Sequence, residues 1–398
     1  MSAQSDPASR IQDIFPPDAY DGVNPSISDS AMFQFQRPQD MAALFAGEGE
    51  PHYLYSRHSH PTLDSLGRAM AALEGSEAAL PVASGMASIA CAILQHVRSG
   101  DHVVCSRTIY GGTYALLGVF FQRFGIEVTF VDATNNEKVR AALRPSTKVV
   151  FAEFLSNPLL EVVDLPALAA LAHGNGAVLI VDNTFTPMVC QPLSHGADVV
   201  IHSLTKFVNG TSDTIAGCIC GSAAFVEELK SLHDGASMLL GPVLDSLRAA
   251  SILKNLHSLH IRMQHHAQNA HFLAQRLEAR GESVFYPGLP SHPHHERMSA
   301  QIDSRFGYSG MMTLDMGTGD RANRLIERML DEQVGILSVS LGYFKTLFSA
   351  SATSTSSEIP EEERLKLGLR EGLVRFSVGL DQDIERTWER IERALSQV

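Results

Sequence analysis

Short apolar runs that close in polar residues recur through the middle of the chain. His102-Val-Val-Cys105, a segment near residue 128, Val149-Val-Phe-Ala-Glu153, Ala177-Val-Leu-Ile-Val-Asp182, Ala197-Asp-Val-Val-Ile-His-Ser203 and Ile215-Ala-Gly-Cys-Ile-Cys-Gly221 have this form. Unbroken apolarity over so short a length is the pattern of strands buried on both faces. Stretches of helical period lie between the runs, so the pattern predicts an α/β fold: a mostly parallel sheet with helices on both faces. Sheets of this kind place ligands at the carboxyl edge of their strands, where the closing polar residues would stand.

Around this region the pattern changes. Residues 1–50 show little periodicity and carry several prolines and aspartates, which predicts an extended arm. Leu63, Leu66, Met70 and Leu73 mark an amphipathic helix, and Ser84-Gly85-Met86 opens another that continues through Ile89, Ile93, Leu94 and Val97. After Gly221 the period becomes helical. Leu247, Ile252, Leu256, Leu259 and Met263, between Leu244 and Ala279, predict long helices leading into a smaller C-terminal α+β domain, and Glu371–Leu380 reads as a strand. The expected division is an arm at 1–60, a large domain at 61–255 and a C-terminal domain at 256–398.

Composition narrows the classes. The chain has 398 residues, 44% of them apolar, enough for two or three domains or subdomains. A net charge of −13 argues against nucleic acid or an anionic membrane as partner. No apolar run reaches the length of a membrane span and the N-terminus lacks the apolar core of a signal peptide, so the expected location is cytoplasmic. The five cysteines, at 91, 105, 190, 218 and 220, are odd in number and show no CxxC spacing. They are expected to be buried, reduced thiols, with Cys218 and Cys220 on one strand face. His257, His260, His265 and His266 spread round a helix, and Ser291-His-Pro-His-His-Glu296 is broken by proline; no metal site is expected from either.

The candidate chemistry lies at two of the strand ends. A carboxylate (Asp182) and an amine (Lys206) at one sheet edge can hold a pyridine-ring cofactor, the acid pairing the ring N–H and the lysine carrying the aldehyde as a Schiff base. Ser203 and Thr205 offer hydroxyls to a phosphate beside that lysine. Ser84-Gly85-Met86 leaves the first N–H groups of a helix free to face an anion. Tyr110-Gly111-Gly112 lets an aromatic ring lie over a flat cofactor while the backbone stays close. Arg375, set among apolar residues, wants a bidentate carboxylate such as an amino acid supplies, or else an internal acid. Singly, each of these residues has a commoner role at a turn or a surface.

Taken together, Val181-Asp182-Asn-Thr-Phe185 and Ser203-Leu-Thr205-Lys206-Phe207, followed by Gly210, resemble the Cys/Met-metabolism family of pyridoxal 5'-phosphate (PLP) enzymes. Its members include cystathionine γ-synthases, cystathionine lyases, O-acylhomoserine sulfhydrylases and methionine γ-lyases. The resemblance runs over nearly the whole chain. It implies PLP fold type I, with Lys206 and Asp182 on the cofactor, Tyr110 stacked on its ring and the backbone of Gly85 and Met86 on its phosphate. In Tyr55-Ser-Arg57 it implies an arm that reaches the phosphate in a neighbouring subunit, hence a homotetramer built of active-site-sharing dimers. Asn157 is implied for the cofactor's phenolic oxygen and the substrate carboxylate, Arg375 for that carboxylate, and Ser340 behind the lysine. Tyr55, Ser340, Asn157 and Arg375 make up the implied substrate set.

The implied reaction on a small amino-acid substrate is γ-elimination, with Lys206 moving the α-proton and Tyr110 serving the leaving group. The first expectation is a carbon–sulfur lyase of the methionine γ-lyase kind. The alternatives are γ-replacement on an O-acylhomoserine and a γ-lyase for an oxygen-linked amino acid such as canavanine, giving homoserine. Three departures from the family pattern bear on specificity. Phe154-Leu155 stands where Ser/Thr-Pro is more common, Gly112 where methionine γ-lyases usually have cysteine, and Lys345, within Tyr343–Glu358, where relatives carry an acid.

Overall fold

A computed structural model describes residues 6–14, 21–46, 48, 52–351, 354, 359 and 361–398. The central sheet has seven strands: β1 (Ala78–Val82), β2 (His102–Ser106), β3 (Glu127–Val131), β4 (Thr147–Glu153), β5 (Val178–Asp182), β6 (Val199–Ser203) and β7 (Gly217–Gly221). Their spatial order is β1-β7-β6-β5-β4-β2-β3. Strands β2 to β6 pair in parallel, whereas β7 runs antiparallel to both β6 and β1. Val103, Val104, Phe151, Leu179, Ile180, Val181, Val200 and Ile201 are all buried, as strands covered by helices on both faces require.

The sequence pattern missed β1. Leu80-Pro81-Val82 is short and contains proline, which lacks a ladder donor, yet β1 lies at the sheet's edge, where one side needs no partner. Cys218 and Cys220 share a face of β7, with their sulfurs 4.0 Å apart, and all five cysteines are buried and unpaired.

Two helices set the carboxyl edge. Pro61–Glu74 begins on His60, whose ring accepts the Thr62 N–H, and ends at Gly75 in the left-handed region; its apolar face, Leu63, Leu66, Met70 and Leu73, is buried. Gly85–His96 is capped by Ser84, whose side chain accepts the Ala87 N–H, and packs across β6 and β7.

The long helical stretch comprises Ser246–Leu256 and Leu259–Ala279. Beyond it a second sheet is formed by β8 (Ser283–Phe285), β9 (Met311–Asp315), β10 (Ile336–Leu337), β11 (Leu347–Ala350) and β12 (Leu373–Ser377), in the order β10-β11-β12-β9-β8. Helices Gly319–Asp331 and Ile384–Leu395 cover this sheet with Leu325, Met329, Trp388 and Ile391. The first core extends into this half of the chain, taking in Leu259, Met263, Met298, Phe306, Met311 and Leu341. That shared packing brings β12 and the segment before β11 to the mouth of the large sheet. His266 is buried and donates from Nδ1 to the Val378 carbonyl at 2.6 Å; burial pushes its pKa down to about 4. Among the described residues no cluster of three His, Cys, Asp or Glu could hold a metal ion.

Candidate active site

A cavity of about 450 Å³ opens at the carboxyl edge of β4, β5 and β6. Among its lining residues are Gly85, Met86, Tyr110, Asn157, Asp182, Ser203, Thr205, Lys206 and Arg375, nine of the twelve candidates named from sequence. Ser340 touches the site through Lys206. Tyr55 and Arg57 do not line it.

Lys206 lies in the turn that follows β6. Its Nζ donates to Ser340 Oγ at 3.0 Å. Burial, with a smaller contribution from the Arg375 charge, pushes its pKa down to about 8. The segment bearing Ser340 comes this close because Gly342 has no side chain: a Cβ there would lie 2.5 Å from Phe207 N and 2.8 Å from the Lys206 carbonyl carbon, and its φ is +78°. Arg262 braces the turn from the other side, donating to the Phe207 and Val208 carbonyls.

Asp182 ends β5 in register with Glu153 at the end of β4, so two carboxylates stand side by side on one face. Burial raises the Asp182 pKa, opposed by hydrogen bonds from Thr184 and by the nearby His202. Its Oδ1 accepts the Thr184 N–H at 2.9 Å. His202 and Glu74, both fully buried, meet at 2.5 Å on the sheet's other face. Glu153 is pushed up to about 8 by burial first and the Asp182 charge second, while its two backbone donors and Arg375 pull it back.

Tyr110 precedes the short helix Gly111–Ala115 and is 42% exposed. Its backbone N–H donates to Glu153 Oε1 at 2.8 Å. The ring lies over Gly112, where a Cβ would come within 2.5 Å of Tyr110 Cε1. A Cβ at 112 would require this ring to shift. At the other end of the cavity Gly85 abuts β6: an added Cβ would sit 2.8 Å from Ser203 Cβ. That approach holds the N-terminus of helix Gly85–His96 beside Ser203 and Thr205. The Thr205 hydroxyl accepts the Ala216 N–H at 3.0 Å.

Arg375 comes from β12 and is 2% exposed. Its guanidinium donates to Asn157 Oδ1 at 3.0 Å and to the Val339 and Ser340 carbonyls at 3.1 and 3.4 Å. Among the described residues no carboxylate lies within ion-pair distance of it, so its hydrogen-bond partners are neutral oxygens, while the buried acid Glu153 acts on it through its charge. Between these polar groups the wall is apolar: Leu155, Phe185, Ile215, Val339 and Leu341.

Three further segments named from sequence lie outside this set or only touch it. Tyr55 forms a strand-like bridge with Met32, and Arg57 donates to the Met238 carbonyl at 2.9 Å, so neither reaches this chain's cavity. Lys345 is exposed, with its ammonium 5.8 Å from the Phe344 ring centroid, and does not line the cavity. Of the Thr353–Glu358 stretch only Ser354 lies among the described residues, and it lines the cavity. Conversely, Glu153 was not singled out from sequence, although a carboxylate closing an apolar strand beside Asp182 was the signal for it. Phe185 and Ile215 were also missed as wall residues; one apolar residue beside a strand end carries no such mark.

The donor set fits PLP. A depressed lysine amine suits its aldehyde, a buried carboxylate its ring nitrogen, an exposed tyrosine ring its face, and a helix N-terminus with two hydroxyls its phosphate. A parallel sheet with these groups on its carboxyl edge defines a PLP-dependent enzyme of fold type I. Sequence comparison is consistent with this class: the family described as Cys/Met metabolism PLP-dependent enzyme matches residues 11–396. Methionine gamma-lyase of Arabidopsis thaliana is 42% identical over 98% of this chain and 90% of its own length. O-succinylhomoserine sulfhydrylase of Pseudomonas aeruginosa is 40% identical over 88% of this chain and 86% of its own. A Campylobacter jejuni crystal structure containing N'-pyridoxyl-lysine-5'-monophosphate superposes with a TM-score of 0.90 at 28% identity, over 98% of this chain and 100% of that one. The chain belongs to the Cys/Met metabolism family of PLP-dependent enzymes, and PLP is its cofactor.

Proposed function

We propose that the enzyme is a carbon–sulfur lyase that carries out γ-elimination on methionine, yielding 2-oxobutyrate, methanethiol and ammonia with the uptake of one water. The observation that carries this reading is the wall formed by Leu155, Phe185, Ile215, Val339 and Leu341, beside a single buried guanidinium. A substrate with one carboxylate and an uncharged thioether suits it. Cystathionine would bring a second ammonium and carboxylate, and canavanine a guanidinium, onto apolar side chains that cannot hydrogen-bond them. The similarity to methionine gamma-lyase points the same way.

When bound, PLP supplies an electron sink for the carbanions formed at the α- and β-carbons. The protein's own residues do the rest. Arg375, steadied by Asn157, takes the α-carboxylate bidentately and fixes the α-carbon near Lys206. The Lys206 amine, poised near 8 and aimed by Ser340, takes the α-proton and carries it onward. Asp182 pairs the ring nitrogen, Gly85, Met86, Ser203 and Thr205 hold the phosphate, and Tyr110 covers the ring and assists the departing thiolate.

Tyr55 and Arg57, which do not reach their own cavity, are assigned to that of a neighbouring subunit. The exposed Leu239, Leu240 and Val243 near Arg57 support a subunit contact there. The assembly inferred is a homotetramer of active-site-sharing dimers. Each subunit is divided into the arm at 1–60, the cofactor domain at 61–255 and the C-terminal domain at 256–398. Five buried reduced cysteines support a cytoplasmic location. No helix among the described residues is long and apolar enough to cross a membrane.

Steady-state kinetics test the substrate reading. The ratio kcat/KM is expected to favour methionine over cystathionine and canavanine by at least tenfold, on the order of one unpaired polar group in an apolar wall. A higher ratio for either competitor would overturn it. Lys206→Ala is expected to abolish turnover of all three.

A further inference from the structure

Glu153 is buried at the floor of the cavity, and neither the cofactor nor the substrate reading gives it a task. Its carboxylate is 7% exposed and bridges two loops. Oε1 accepts the Tyr110 N–H at 2.8 Å, and Oε2 accepts the Asn157 N–H at 3.0 Å. Tyr110 presents the ring at the cavity mouth, and Asn157 passes its side-chain oxygen to Arg375. One carboxylate therefore reaches both the aromatic group and the support of the buried guanidinium. The position is otherwise unfavourable, because Asp182 stands beside it in register and burial disfavours a second negative charge. A buried acid held next to another acid is unfavourable unless its two oxygens are needed.

We propose that Glu153 is a positioning residue that clamps the Tyr110 and Asn157 backbones, so that the tyrosine ring and the Arg375 carboxylate site keep a fixed separation. The clamp requires two acceptor oxygens at glutamate's reach. Glu153→Gln retains shape and one acceptor, but turns an NH2 toward the second N–H. Glu153→Asp retains both carboxyl oxygens, but is one methylene too short to serve both loops. The inference rests on the reading of this cavity as the amino-acid site, and the experiment separates the two.

The holoenzyme and both variants would be compared by amide hydrogen exchange, by steady-state kinetics with methionine, and by equilibrium binding of norleucine, which has no leaving group. The expected result is faster exchange in peptides containing Tyr110 and Asn157, unchanged exchange across β5 and β6, and KM for methionine and Kd for norleucine raised by about tenfold in both variants. Unchanged exchange at Tyr110 and Asn157 in Glu153→Gln overturns the clamp. Wild-type exchange and kinetics in Glu153→Asp also overturn it, since the reach of the side chain would then not matter. If wild-type enzyme fails to bind norleucine while the exchange pattern changes as expected, the clamp stands and the amino-acid reading of the cavity falls.

Discussion

Lys206 Nζ donates to Ser340 Oγ across 134 residues of sequence, joining the turn after β6 to the segment that precedes β11. The contact fixes the direction of the amine and makes the lysine's environment depend on the C-terminal half of the chain. Ser340→Ala removes the acceptor and leaves the fold intact, since the residue is not part of the core. Turnover is expected to fall about tenfold with KM nearly unchanged, the size of one hydrogen bond to a charged group. Initial rates at saturating methionine check this.

Arg375 offers a planar fork that lysine cannot reproduce. Arg375→Lys keeps the charge but loses the second parallel hydrogen bond and the hold of the Val339 and Ser340 carbonyls. The ratio kcat/KM is expected to drop roughly 100-fold, mostly through KM. Titration with methionine reads the split.

The depressed Lys206 amine gives a pH signature that does not depend on turnover. Only the neutral amine attacks an aldehyde, and burial lowers its pKa from the ordinary lysine value to about 8. The rate at which apoenzyme recaptures PLP is therefore expected to rise tenfold per pH unit below 8 and to level off above it. An ordinary lysine would keep rising to about pH 10.4. Stopped-flow absorbance over pH 6–10 distinguishes the two.

Val339 lines the cavity and is 62% exposed, so it can be changed without opening the core. Val339→Glu places a carboxylate on the apolar wall. Methionine is expected to lose about tenfold in kcat/KM, while cystathionine, with a distal ammonium to pair, gains relative to it. Equal effects on the two substrates would show that the wall does not face the thioether.

Much of this site was legible because strand ends carry their chemistry in sequence. An apolar run that stops at Asp182, and another that stops at Ser203 before Lys206, predict both the sheet and the edge where the groups meet. Tyr110 was legible from the glycines behind it. Less was legible where the signal depends on the third dimension. β1 was hidden by Pro81, which only an edge strand tolerates. Glu153 looked like an ordinary polar strand end until its register with Asp182 was known. Lys345 stood near the substrate in sequence terms, yet the chain turns it outward onto Phe344. The wall residues Phe185 and Ile215 come from unrelated segments that only the assembled sheet brings together.

The most direct measurement is a mass-spectrometric product analysis of the PLP-loaded enzyme with methionine as sole substrate and no added nucleophile. The predicted result is 2-oxobutyrate and methanethiol in equal amounts, with ammonia. If methionine is left intact, while product appears from O-acetylhomoserine with an added thiol or homoserine appears from canavanine, the γ-elimination of methionine proposed for this enzyme is contradicted.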